Sequence, residues 1–248
     1  MKPLLSVIIP AYNEVENYER TGLNDVYRFL KKSFVAFEVL LVDDGSTDDT
    51  LTLLHTFKKD KSEVIVMSEP HTGKAGAVKA GMLAAKGKFR LYTDFDQSTP
   101  IEEIGKMLPF FNRGYDFIIG SREVEGASRG KEPWYRHLMG KGFNFGVQLL
   151  AVRGIHDTQC GFKVMNELAA TQLFPRLLVT LSPSKKAFTG AFDVELLFLA
   201  RKMKLRIAEV PVLWKHVKSK RVSPIKDSIR MAWQVILIRW TYLIGRYA

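Results

Sequence analysis

Asp94 and Asp96 stand one residue apart in Tyr-Thr-Asp-Phe-Asp-Gln (92–97), at the end of a strand-like run where period-two geometry points both carboxylates the same way. Two anions so placed attract a divalent cation. Asp-x-Asp also arises by chance as a solvated loop, so its position decides its meaning. The run 88–93 is the fourth apolar stretch of an alternating series, and ligands of open α/β sheets gather beyond the carboxyl ends of such strands. Mg²⁺ or Mn²⁺ held by one or two carboxylates, with substrate phosphates completing the shell, is the chemistry this arrangement fits.

Two other strand ends carry polar groups to the same edge. Pro-Ala-Tyr-Asn-Glu (10–14) supplies a ring, an amide and a carboxylate, and Tyr12 is suited to stacking on a base. Val-Asp-Asp-Gly-Ser-Thr-Asp (42–48) supplies Asp43 and Asp44 as acceptors for a base or ribose, and is equally good turn and helix-capping chemistry. His-Thr-Gly-Lys-Ala-Gly (71–76) opens a helix whose free amides, with Lys74, suit a phosphate. It is no Walker A loop, because the upstream glycine is missing and Ala75 stands where Ser or Thr is required.

Positioning these groups requires strands at 4–9, 37–42, 63–67, 88–93 and 116–120, separated by helices in βαβ fashion on a mostly parallel sheet. Asn13 is placed to cap a helix reaching about residue 32, Ser46 or Thr47 one over 49–58, and Thr72 precedes an alanine-rich helix ending near Gly87. Residues 122–133 and 178–190 read as loops, and 134–152 as a long amphipathic helix.

At 248 residues the chain is long enough for a full core. Cys160 is the single cysteine, which excludes an intrachain disulfide or a Cys-x-x-Cys pair and fits a reducing compartment. The five histidines show no two-His metal spacing. The net charge of +11 is concentrated at the end, where residues 201–248 hold 12 Lys and Arg against 2 Asp and Glu. In a helix over 225–244, Lys226, Asp227, Arg230, Gln234 and Thr241 share one sector, while Ile225, Ile229, Trp233, Ile236, Trp240 and Leu243 lie opposite, interrupted by Arg239. Its apolar part is about 20 Å long against about 30 Å of hydrocarbon, too short to span. Tryptophans amid Lys and Arg suit an anionic membrane interface, with an ordinary helix packed on the sheet as the alternative. No nucleic-acid reader module is present, so nucleic acid is not an expected partner. Residues 1–222 are therefore read as the catalytic domain and 223–248 as the membrane-associating helix. Nothing in the sequence excludes a homo-oligomer.

Taken together, the segments 10–14, 42–48, 73–77 (Gly-Lys-Ala-Gly-Ala) and 94–96 resemble, in order, a family 2 glycosyltransferase of GT-A fold. Gly-Ser-Arg (120–122), Asp-Thr-Gln-Cys-Gly-Phe-Lys (157–163), Phe-Asp-Val-Glu-Leu-Leu (192–197) and Ala-Glu-Val-Pro-Val-Leu-Trp (208–214) extend the resemblance through the polyprenyl-phosphate sugar synthases. The wording is nearest that of the dolichyl-phosphate β-glucosyltransferases. The resemblance implies inverting glucosyl transfer from UDP-glucose to a polyprenyl phosphate. GDP-mannose as donor, a soluble glycan as acceptor, or a sugar-nucleotide-binding scaffold are the alternatives.

It further implies nucleotide-sugar contacts at Pro10, Ala11, Tyr12, Glu14, Asp43, Asp44, Lys74, Asp94, Phe95 and Asp96, and a metal site at Asp94, Asp96 and Gln97. Arg122, Arg136, Lys215 and Lys220 correspond to the acceptor-phosphate side, and Asp96, Arg122, Arg136 and Asp157 to the catalytic set. Two departures stand out. Lys218 replaces the glycine expected before Ser219-Lys220, and Gln97 follows Asp96 directly, where the mannose synthases place the glutamine two positions later. The eukaryotic glucosyltransferases also carry an N-terminal membrane segment that this sequence does not show. Peripheral attachment through the tail, on the cytoplasmic face, and a prokaryotic polyprenol carrier are the resulting expectations.

Overall fold

The computed structural model describes residues 2–20, 22–130, 148, 151–181, 191–215 and 224–247, with the side chains of 129 and 224–228 excepted. The strands β1 (Leu5–Ala11) and β2 (Phe37–Asp43) are buried along their whole length. Such near-continuous apolar runs require cover on both faces, as in a parallel sheet interior. The chain continues through β3 (Val64–Ser68), β4 (Phe89–Tyr92), β5 (Phe117–Ser121), β6 (Ser128–Arg129), β7 (Lys163–Asn166), β8 (Ile207–Pro211) and β9 (Leu213–Trp214). Seven strands form one sheet in the order β3-β2-β1-β4-β7-β5-β8, and β6 pairs with β9 in a small second sheet.

The order contains a reversal that matters for chemistry. β1 pairs in parallel with β2 on one side and β4 on the other, so the chain changes direction across the sheet between them. A crevice opens at the carboxyl ends of the strands flanking such a switch point. Sequence periodicity captures the first five strands of this sheet, but β7 and β8 were not expected from it. β7, inserted between β4 and β5, is the one antiparallel strand among the described residues. Its reversed direction matters: it starts beside the end of β4, Lys163 opposite Tyr92, and so delivers residues 157–162 to the sheet's ligand edge.

Helices cover both faces. α2 (Leu23–Ser33) and α3 (Thr50–Lys58) pack Leu23, Val26, Leu30, Leu54 and Phe57 against Val7, Ile9, Val39 and Leu41. On the other face α4 (Lys74–Ala84), α7 (Glu167–Leu173) and α8 (Phe192–Lys202) close over Ile8, Leu40 and Val42, and Val235 and Ile238 join them from α9 (Pro224–Leu243). The short helices are α1 (Val15–Tyr18), α5 (Ile104–Met107) and α6 (Pro109–Asn112).

Several local expectations are corrected. The helix expected to run from Asn13 to residue 32 is two helices, broken before α2 by Gly22 at φ 64. Asn13 caps neither. Its Oδ1 accepts from the Thr47 amide (2.8 Å), and its own amide donates to Ser46 Oγ (3.0 Å), so the turns after β1 and β2 are stitched together. Neither Ser46 nor Thr47 caps α3: its N-cap is Asp49, and Asp48 Oδ1, one residue before it, accepts from the Thr50 amide at 3.0 Å. The helix expected over 134–152 and the loop over 178–190 lie largely outside the described residues.

The candidate active site at the switch point

β4 ends at Tyr92, and the Thr93 amide still pairs with Ile8 O (3.0 Å) before the chain turns. Asp94 and Asp96 therefore sit on a tight turn and not on the strand itself. Asp94 O accepts from the Gln97 amide (3.2 Å) and from Gln97 Nε2 (2.8 Å), while Asp96 Oδ1 accepts from the Ser98 amide (2.9 Å). Burial, and then the Asp94 charge, raise the Asp96 pKa above the usual carboxylate value. Like charges held this close accommodate a cation. Gly161 lies against Asp94: a Cβ there would stand 2.0 Å from Oδ2, so any other residue would have to displace that carboxylate.

Lys74, the first residue of α4, bonds Asp94 Oδ1. Its burial alone would depress its pKa, but Asp94, Asp193 and Asp96 outweigh that and raise it, so it remains an ammonium. Gln97 Oε1 and Thr93 Oγ1 are buried without partners. Two carboxylates with an unengaged amide oxygen are a donor set that fits Mg²⁺ or Mn²⁺ when a diphosphate supplies the remaining ligands. No cluster of three or more His, Cys, Asp or Glu suited to a metal occurs among the described residues, so protein groups alone make no closed cage there.

On the β1 and β2 side, the Tyr12 ring stacks on His71 with centroids 4.0 Å apart. Asp43 and Asp44 differ. Asp44 accepts from the Thr72 and Gly73 amides (2.9 Å each) and lies 2.9 Å from His71 Nδ1. The Thr72 and Gly73 amides, just ahead of the helix that begins at Lys74, are thus spent on Asp44, and Asp44 is spent on them. Asp43 uses Oδ2 for the Ser46 amide (3.2 Å) and leaves Oδ1 buried without a partner. Glu14 accepts from Asn17 Nδ2 (2.6 Å). Pro10 and Ala11 lie within β1, beside Val42 and Asp43. Phe95 turns its ring into the core, so only its backbone faces the site.

Across the crevice, Arg122 forks onto Asp157 through Nε (2.7 Å) and an Nη (2.9 Å), with its amide on the same carboxylate (2.9 Å). The Gln159 and Cys160 amides complete the set at 3.1 Å each. Despite the cost of burial, Arg122 holds the Asp157 carboxyl below its usual range. A carboxylate so saturated holds the 157–161 segment in place. Arg122, expected on the acceptor phosphate, commits two donors to that carboxylate, and its guanidinium lies 5.3 Å from the Trp214 ring centroid.

Lys215 is brought in by its backbone, its amide donating to Ser98 O at 2.7 Å. Arg136 and Lys220 lie outside the described residues.

Residues 6–174 match the family model described as Glycosyl transferase family 2. The chain belongs to this family. It is 35% identical to a dolichyl-phosphate beta-glucosyltransferase of Dictyostelium discoideum, covering 97% of this chain and 75% of that one. It is 32% identical to the human protein of that description, covering 98% and 77%. Among solved structures, mannosyl-3-phosphoglycerate synthase from Rubrobacter xylanophilus superposes with TM-score 0.64 at 19% identity, covering 98% of this chain and 75% of that chain. Glucosyl-3-phosphoglycerate synthase from Mycobacterium tuberculosis, in complex with Mn²⁺, UDP and glucosyl-3-phosphoglycerate, does so with TM-score 0.56 at 20% identity, covering 95% and 78%. These structural likenesses establish the GT-A type of fold.

One buried charged cluster of the glycosyltransferase has a weaker mark in the sequence. Lys163, fully buried at the start of β7, donates to Asp193 Oδ1 (2.6 Å), which also accepts from Tyr92 OH (2.7 Å). Burial, then Asp193, pushes the Tyr92 pKa well up, keeping the phenol a donor. A lysine inside Cys-Gly-Phe-Lys was the available signal, since an unpaired ammonium is not tolerated in an apolar strand. In the sequence His71 stands only at a helix start; the fold brings it to Tyr12.

Proposed function

We propose that this glycosyltransferase transfers glucose from UDP-glucose to a polyprenyl phosphate, dolichyl or similar, yielding polyprenyl-phosphate β-glucose and UDP. The observation that carries the reading is one crevice holding Asp94 and Asp96 opposite Tyr12 and the open Asp43 Oδ1, in a chain 35% identical to a dolichyl-phosphate beta-glucosyltransferase. Tyr12 stacks on the base and Asp43 accepts from base or ribose. Asp94 and Asp96, with Gln97, hold Mg²⁺ or Mn²⁺, as the Mn²⁺–UDP complex of the structural neighbour supports. When bound, the cation neutralises charge on the departing nucleoside diphosphate.

Lys74 stays cationic beside Asp94 and supports the same diphosphate. The acceptor phosphate is already anionic, so its placement counts for more than proton removal. Lys215, Arg136 and Lys220 are assigned to that phosphate, and Arg122 to fixing the 157–161 wall beside it.

We assign residues 1–222 to catalysis and α9 to the membrane surface. α9 buries Val235 and Ile238 and leaves Ile229, Trp233, Trp240 and Leu243 at least 60% exposed. Packing on the domain and lying in the interface thus use different faces of one helix. Gln234 Oε1 accepts from the Ala191 amide (2.8 Å), one residue before Phe192, whose ring centroid is 5.9 Å from Lys74 Nζ. The lipid-facing helix is thereby joined to the phosphate end of the site. No helix among the described residues is long and apolar enough to cross a membrane. We place the protein peripherally on the cytoplasmic face.

The test is transfer of labelled sugar from UDP-glucose, and in parallel from GDP-mannose, to polyprenyl phosphate with Mg²⁺ or Mn²⁺. Chelator-sensitive glucosyl-lipid is expected. Mannosyl-lipid would change the donor, and no lipid product from either would overturn the acceptor.

A further inference from the structure

We propose that His71 is a positioning residue of the nucleobase site, a second ring that backs Tyr12 and holds it flat against the base. This rests on the reading of Tyr12 as the base-stacking residue. The two rings are nearly parallel, 13° apart at 4.0 Å, a stacked pair and not an edge contact.

The imidazole is held from beneath. Its Nδ1 lies 2.9 Å from Asp44 O and 2.9 Å from Asp44 Oδ2, while the next two amides, Thr72 and Gly73, donate to the same carboxylate at 2.9 Å each. Gly45, at φ 67, makes this approach possible: a Cβ there would stand 2.8 Å from the His71 amide nitrogen. The loop before α4 is thus locked onto the end of β2, and its ring is delivered to the residue that follows β1. Tyr12 itself is anchored differently: among the described residues its ring contact is His71.

The arrangement explains the division of labour between the paired aspartates. Asp43 keeps an open oxygen for the nucleotide, whereas Asp44 acts on it at one remove, by fixing the ring behind Tyr12. Losing the backing ring frees Tyr12 to leave the stacking plane, so the loss falls on the base and not on the phosphates.

The test is calorimetric titration, with Mn²⁺ present, of the parent, His71→Ala and His71→Phe with UDP, GDP and pyrophosphate, alongside thermal midpoints. His71→Ala is expected to weaken UDP about three- to tenfold, the range of one aromatic pair, with pyrophosphate affinity unchanged. His71→Phe, which restores a ring without the Asp44 contact, is expected within about twofold of the parent. The proposal is overturned if His71→Ala binds UDP as well as the parent or better, the latter meaning that the imidazole occupies the base's own place. It is equally overturned if UDP and pyrophosphate weaken together, or if His71→Phe falls as far as His71→Ala. A parent that prefers GDP would break the UDP-glucose reading alone, because the same ratios measured with GDP still decide the role of His71. A parent that binds neither nucleotide better than pyrophosphate would remove both.

Discussion

Two groups of acids lie near the sheet's carboxyl edge, one fully buried and one partly exposed at Asp94 and Asp96, and they are built on opposite plans. Asp157 and Glu195 are saturated. Asp157 takes the Arg122 fork and three amides, and Glu195, fully buried, accepts from the amides of Leu178, Val179 and Thr180, from Thr180 Oγ1 and from Tyr247 OH at 2.6 Å. At the switch point, Asp43 Oδ1, Thr93 Oγ1 and Gln97 Oε1 are buried with no partner, and Asp94 and Asp96 repel one another. An unsatisfied buried polar group costs about 1–3 kcal/mol, so it persists where a ligand completes it. Saturated carboxylates mark the frame, and spare bonding capacity marks the ligand surface, which takes in the 157–161 wall, where Thr158 Oγ1 and Gln159 Nε2 are also buried without partners.

The sharpest way to break this comparison is to remove one acid from each group. Asp157→Ala strands the Arg122 guanidinium, and a stability loss of about 3–5 kcal/mol is expected by denaturant unfolding. A loss below about 1 kcal/mol would mean the fork is dispensable and the frame lies elsewhere. Asp96→Asn should do the reverse. Burial and Asp94 disfavour its charge, so the thermal midpoint should hold or rise, while metal-dependent sugar transfer falls roughly 10²–10³-fold. Transfer that survives would show the Asp-x-Asp turn to be inert.

A smaller effect is expected on the outer face of α9. Changing Trp233 and Trp240 together to Glu should lower partitioning onto anionic vesicles by about tenfold or more without altering the thermal midpoint, since both rings are already exposed in water. Unaltered partitioning would detach the helix from the membrane reading.

The smallest effects are in pH. Asp157 titrates below its ordinary 3.8, so its contribution is complete above that pH and is lost as the pH falls through the lowered value; Asp157→Asn should flatten that acid limb of stability. Burial, then Asp157, pushes the Cys160 thiol up to about 11 from 9.0, so its contribution is complete below pH 9 and is lost as the pH rises toward 11. Stability profiles of the parent and Cys160→Ala over that range should diverge only there.

The first five strands of the main sheet and the ends at Tyr12, Asp43 and Asp94 were legible because a buried parallel strand must be written as a continuous apolar run and its polar successors stand at a fixed edge. β7 was not, because four residues beginning with a lysine carry no periodicity, and antiparallel insertion between β4 and β5 depends on partners more than forty residues away on either side. The apolar stripe of α9 was equally plain from residue spacing. Which side of it packs was not: Val235 and Ile238 face α8 because that surface is complementary to them, leaving the tryptophans outward.

Composition and order alone establish the family, the alternating architecture and the identity of the groups that reach the sheet's edge, since these follow from local pattern. Only the folded chain decides which of those groups remain available. Asp44, Asp157 and Arg122 are consumed by backbone amides or by each other, Asp43 and Gln97 are not, and His71 becomes the partner of Tyr12. Hydrogen-bond capacity is spent between residues distant in sequence, and no local pattern records who spends it.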